Sequence, residues 1–144
     1  MFKISNVSHV YYSVWDLDKT IDFFTKALGC SLLRRYSTSP GRESAYITIG
    51  DTLIELSMAA EGTPRPSRNI IGLAVDDLDQ ALADLQAKGV EVATAPFAAR
   101  TFWGRQAVIK DPNGHQIALR EWRAPDGPHY PDWKPDQEGV TRIA

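Results

Sequence analysis

The sequence predicts an α+β fold in which two βαβββ modules join into one curved mixed sheet. Three observations carry that expectation. The pattern V-x-D-L-D occurs twice, as Val14, Asp16, Leu17, Asp18 and again as Val75, Asp77, Leu78, Asp79. Each copy leads into a helical pattern that stops at a glycine, Gly29 or Gly89. Each glycine is followed by strand-like runs separated by turn residues. One copy alone covers a single sheet face with its helix. Two copies side by side would make a trough with helices outside, and its inner face is a natural ligand site.

The elements follow in order. Residues 8–14 alternate, with Val10, Tyr12 and Val14 on one face and His9, Tyr11 and Ser13 on the other. Asp16 or Asp18 then caps a helix whose apolar residues Leu17, Ile21, Phe24 and Leu28 recur at helical spacing. Residues 32–36 read as a short strand and 37–42 as a polar loop with a Pro-Gly turn. Residues 45–49 and 52–58 read as strands joined at Gly50-Asp51. In the second module, 70–75 is a strand and Asp77 leads into a helix with Leu78, Leu82 and Leu85 on one stripe. Residues 90–93 form a short strand, followed by a loop holding Pro96, Phe97, Phe102, Trp103 and Gly104. The last hairpin pairs 105–110 with 116–122 through Asp111-Pro112-Asn113-Gly114. The expected organisation is one domain over 1–122, comprising module one (7–58), a linker (59–68) and module two (69–122). A Pro-rich tail over 123–144, anchored by Tyr130, Trp133 and Trp122, completes it.

Composition narrows the function classes. The hydrophobic fraction of 43% in 144 residues supports a sizeable core. A net charge of −2 with no basic stripe argues against nucleic acid and anionic lipid as partners. No apolar run is long enough to span a bilayer, and the N-terminal residues lack a signal-peptide pattern, so a cytoplasmic location is the default. Cys30 is the single cysteine, which excludes an intrachain disulfide and reads as packing.

Alternation sets which side chains face the trough. His9, Tyr11 and Ser13 share a face on the first strand, as do Leu53, Glu55 and Ser57 on the fourth. The second module offers Ile70, Gly72 and Ala74, then Gln116, Ala118 and Arg120. The opposite parity is apolar and should meet the helices. The small residues Gly72, Ala74 and Ala118 leave volume that a core would not leave empty.

Five segments, SHVYYSVWDLD (8–18), GDTLIEL (50–56), IIGLAVDDLD (70–79), FWGR (102–105) and DPNGHQIAL (111–119), together resemble the vicinal oxygen chelate superfamily. That group includes glyoxalase I, extradiol dioxygenases, fosfomycin-resistance enzymes and bleomycin-resistance proteins, and the likeness covers roughly residues 7–122. The resemblance implies metal-ligand positions at His9, Glu55, Ile70 and Ala118. Two of these hold ligand-type side chains and two do not. Neither glyoxalase nor extradiol chemistry carries over, because the former relies on a carboxylate where Ala118 stands and the latter on a histidine where Ile70 stands. A homodimer is also implied.

His9 and Glu55 supply two donors where a divalent ion needs about three or more, so no cofactor is expected. A metal would need water, substrate oxygens or a symmetry-related chain to complete its shell. His115, at a turn exit with its side chain toward the helix side or solvent, and His129, in the tail, are poor substitutes. Without metal, His9 and Glu55 form either an acid/base pair or a self-satisfied polar network. Arg120 either pairs with Glu55 or recognises a ligand oxygen. Tyr11, Phe102 and Trp103 offer stacking surfaces, Trp103 best placed at a cleft mouth. Trp15 reads as structural or interfacial. The expectation is a metal-independent protein that binds a medium-sized, partly aromatic ligand. His9 and Glu55 are its candidate catalytic residues, and Tyr11, Ser13, Trp103, Gln116 and Arg120 its candidate contacts. The alternatives are a lyase, cyclase or isomerase working by proton transfer, or a metal enzyme with an incomplete ligand set.

Overall fold

The computed structural model describes residues 1–66, 68–122 and 143. The tail expected over 123–144, with His129, Tyr130 and Trp133, lies outside the described residues save Ile143. The chain divides into two units, Met1–Arg65 and Pro66–Ala144.

In the first unit, β1 (Val10–Val14) leads into α1 (Leu17–Asp22), which continues as a π-helical stretch, Phe23–Ala27. Asp16 is the cap: its carboxylate accepts the Lys19 backbone N–H at 3.0 Å, satisfying a donor the first turn leaves open. The wider turn, marked by Leu28 N–H donating to Phe23 C=O, accompanies burial of the consecutive Phe23 and Phe24 together. Phe24 meets Tyr12 edge-on at 5.4 Å, which puts the Tyr12/Val14 parity against the helix. Three strands follow: β2 (Ser31–Ser39), β3 (Arg42–Ile49) and β4 (Thr52–Met58). Their order is β1-β4-β3-β2, with β1 parallel to β4. Ile47, Ile54 and Leu56 are fully buried on the helix side.

The second unit repeats this plan with β5 (Asn69–Ala74), α2 (Leu78–Ala87), β6 (Glu91–Ala98), β7 (Gly104–Lys110) and β8 (Gln116–Trp122). The order is β5-β8-β7-β6, with β5 parallel to β8. Asp77 caps α2 by accepting from Gln80 N–H at 2.9 Å, the same three-residue reach that Asp16 uses. Leu78, Leu82 and Leu85 are buried against a sheet face that includes Ala107, Ile109, Ile117 and Leu119. The two V-x-D-L-D copies therefore do the same work: a strand end, a cap and the first buried leucine.

Three strands, β2, β3 and β6, reach further than expected, β3 beginning at Arg42 rather than at residue 45. β2 runs through residues assigned to a loop, because Ser37 Oγ donates to the carbonyls of Ser39 and Arg42 and tightens the hairpin end. β6 likewise includes Pro96 and Phe97. It is an edge strand with register shifts at Thr94/Phe97, so the missing proline N–H costs no ladder bond. His115 is fully buried, which corrects the solvent option; the turn before it is held by Asp111, whose Oδ1 accepts from the Asn113 and His115 backbones. Trp15 packs under the Arg65 guanidinium at 4.6 Å. Burial pushes the half-buried Cys30 thiol up in pKa, away from thiolate chemistry. Among the described residues, no helix is long and apolar enough to cross a membrane.

Candidate functional site

In the first unit, the sheet face turned from α1 carries a polar row. Tyr11 on β1 and Tyr46 on β3 both stand opposite Glu55 on β4, so the three strands present tyrosine, carboxylate and tyrosine side by side. Ser13, Ser57 and Ser44 form the next row. His9, two residues before Tyr11, therefore points the same way. Its Nε2 lies 3.1 Å from Glu55 Oε2, with side chains 23% and 13% exposed. Nε2 makes no well-formed hydrogen bond to that oxygen, so the contact is one of close approach. On the other ring edge, Nδ1 sits 2.9 Å from Ser8 Oγ. The two side chains expected to pair are in contact, without the hydrogen bond of an acid/base pair.

Glu55 has another partner that sequence reasoning missed. The Tyr36 hydroxyl donates to Glu55 Oε1 at 2.6 Å, the short length of a charge-assisted bond. Tyr36 also stacks on Tyr46, ring centroids 5.4 Å apart, and His9 meets the edges of Tyr11 and Tyr46. The bond to Glu55, then that to Tyr46, then burial push the Tyr36 pKa well above the ordinary phenol value. Tyr36 is thus held as a proton-bearing donor. Phenol, carboxylate and imidazole thus stand in line, the first two joined by a hydrogen bond and the last two in close contact. Tyr46 was findable, since alternation carried from β4 through the Gly50-Asp51 turn places it opposite Glu55. Tyr36 was not, because a bulge between Leu32 and Arg34 shifts the β2 register.

The second unit carries the equivalent positions with different chemistry. Where Tyr11 faces Glu55, Gly72 faces Ala118, and Val108 takes the place of Tyr46. The result is a cleft of about 430 Å³, walled by residues that include Ile70, Gly72, Ala74, Ala118, Arg120 and Trp122. Arg120 Nε donates to Gln106 Oε1 at 2.9 Å, and the guanidinium lies 4.8 Å from the Phe102 ring centroid. The structural partner expected for Arg120 is thus supplied by Gln106, directly across β7, rather than by a carboxylate. Trp122, expected as a tail anchor, rests on Phe102 at 4.4 Å and forms a cleft wall.

The candidate contacts separate accordingly. Tyr11 is 70% exposed beside His9, and Ser13 is exposed two residues on. Arg120 lines the cleft, whereas Gln116 and the 43%-exposed Trp103 stand outside its walls. A second network, also unforeseen, joins Arg105 to Asp79 (3.0 Å) and to the buried Glu121 (3.3 Å). Glu121 also accepts the Leu78 backbone N–H at 2.7 Å, clamping the start of α2 to β8.

The metal that the resemblance associates with this fold does not fit the donors present. His9 and Glu55 offer two ligand side chains, while Ile70 and Ala118 offer none. Among the described residues, no group of three or more His, Cys, Asp or Glu side chains gathers.

The model of the "Glyoxalase/Bleomycin resistance protein/Dioxygenase superfamily" matches residues 6–119. The chain is similar to a "Probable lactoylglutathione lyase" of Vibrio cholerae, 30% identical over 78% of this chain and 88% of that one. It is similar to a "Metallothiol transferase FosB" of Staphylococcus epidermidis, 30% identical over 89% of each. Among solved structures it resembles TnmS3, an antibiotic binding protein from Streptomyces sp. CB03234. That likeness has a TM-score of 0.65 and 30% identity, covering 83% of this chain and all (100%) of that one.

Proposed function

The chain belongs to the Glyoxalase/Bleomycin resistance protein/Dioxygenase superfamily, and on that footing we propose that it is a metal-independent small-molecule-binding protein. Its ligand is of medium size and partly aromatic, held for sequestration or resistance. The observation that carries this reading is the second unit's cleft, which has volume, an aromatic wall and a cation, but no ligating or acid/base group at Ile70, Gly72 or Ala118. An open cleft of this size, with apolar walls and a few polar groups, suits a small-molecule ligand. The likeness to an antibiotic binding protein supports the same reading. Tryptophan fluorescence titration with a panel of aromatic metabolites and antibiotics is the test, because Trp122 lies in the cleft wall. Saturable quenching with a rise in melting temperature is expected. Failure across the panel, with no thermal shift, overturns the reading. Homodimerisation belongs to the same reading and is checked by sedimentation.

One observation favours a second reading, an isomerase or lyase working by proton transfer: the Tyr36–Glu55–His9 chain. The His9 imidazole would take a proton from a carbon next to a carbonyl. Glu55 would stabilise the imidazolium, and the Tyr36 phenol would hold Glu55 in place. With a converted substrate in hand, His9→Ala should abolish turnover while leaving affinity within about tenfold. Equal losses of both would leave plain binding.

A further inference from the structure

We propose that Arg120 is an oxyanion-binding residue, and that the ligands of the second unit's cleft are planar apolar molecules bearing a carboxylate or a similarly forked anion. The inference rests on the cleft being a ligand site, and adds the charge and shape of what it takes.

The contrast with Arg105, the other half-buried arginine among the described residues, carries it. Arg105 holds Asp79 and Glu121. Arg120, half-buried on the inner row of β8, forms no ion pair among the described residues. Its one hydrogen bond there is to the neutral Gln106 amide oxygen, through Nε. That bond and the Phe102 ring beneath fix the guanidinium plane without neutralising it. Both terminal nitrogens keep their N–H groups, a fork matched to two oxygens of one anion. A half-buried cation without a counter-ion is costly, and a ligand anion removes that cost.

The surroundings define the rest of the ligand. Gly72 lies against Arg120, and a Cβ there would come no nearer than 3.9 Å to Nε, so the strand beside the guanidinium is bare. Gly72, Ala74 and Ala118 make a flat floor, with Ile70 and Trp122 as apolar walls. A ring can lie on such a floor with its anionic substituent on the fork.

Paired probes differing only in charge test this: 2-naphthoate and 2-naphthamide, titrated against the full chain by tryptophan quenching. The wild-type protein should bind the carboxylate roughly ten- to a hundredfold more tightly than the amide, the range for a charged hydrogen bond. Arg120→Gln should remove that preference while amide binding persists, showing that the cleft is intact. Arg120→Lys, which keeps the charge but not the fork, should restore part of it. Equal affinity for both probes in the wild type, or a preference that survives Arg120→Gln, overturns the inference and leaves the binding cleft standing. No binding of either probe overturns the cleft reading and this inference with it.

Discussion

Tyr36 and Glu55 stand on strands that are not neighbours, yet the phenol hydroxyl donates to the carboxylate at 2.6 Å across the intervening β3. The bond reaches over Tyr46, on which the Tyr36 ring stacks. It consumes one oxygen of Glu55 and leaves the other beside His9 Nε2 at 3.1 Å. The Tyr36 bond holds the Glu55 carboxylate at one oxygen, and with it sets where the other stands relative to the His9 ring.

The pH dependence of Tyr36 follows from the direction of its shift. Its folded pKa lies above the unfolded value of about 10, with the Glu55 bond as the main cause. The protonated phenol therefore favours the native state at every pH below about 10, and that contribution fades as pH rises through the folded value. Tyr36→Phe should be less stable than the wild type by a constant margin near neutrality, with the margin shrinking in strong alkali. Denaturant melts across pH measure it. A margin that grows with alkali would contradict the assignment.

Metal retention tests the donor arithmetic. Protein equilibrated with zinc, nickel or manganese and then dialysed should retain well under one ion per chain, because His9 and Glu55 supply only two donors. Elemental analysis should find Glu55→Gln unchanged from the wild type. One ion per chain, lost on that substitution, would require a completed shell.

Filling the cleft should separate binding from folding. At Gly72 the nearest heavy atom to an added Cβ is Arg120 Nε at 3.9 Å, so Gly72→Ala fits in van der Waals contact. Gly72→Leu occupies the cleft itself. The alanine variant should bind nearly as the wild type does. The leucine variant should lose at least roughly tenfold in affinity for any cleft ligand, with little change in melting temperature. Equal binding by both would place the ligand elsewhere.

Gly104 is required by close approach. With φ at +150°, its Cβ would sit 1.9 Å from the Glu121 carbonyl oxygen. Gly104→Ala must displace the start of β7, and with it the Phe102 ring that supports Arg120 and Trp122. A cost on the order of 3 kcal/mol is expected, lowering the melting temperature by roughly 10 °C. Calorimetry that found no change would show that the backbone relaxes freely there.

Much of this was legible in the chain. Local rules suffice for the caps at Asp16 and Asp77, the stops at Gly29 and Gly89, and the 111–114 turn, because each depends on residues within a few positions. Alternation placed His9 with Glu55 on one face and Ile54 with Leu56 on the other, since a strand has only two sides. Substituting Ile70 and Ala118 at the matching positions of the second module already made its chemistry different.

Other features are non-local, and no window along the sequence contains them. Tyr36 reaches Glu55 only because a bulge in β2 and the stacking on Tyr46 bring residues 19 apart into contact. Arg105 finds Asp79 and Glu121, and Arg120 finds Gln106, through strand pairing across hairpins and helix placement. Composition and periodicity determined which side chains this protein places on each face. Which of them share a proton or balance a charge was decided by tertiary structure, because those interactions act over a few ångströms whatever the separation along the chain.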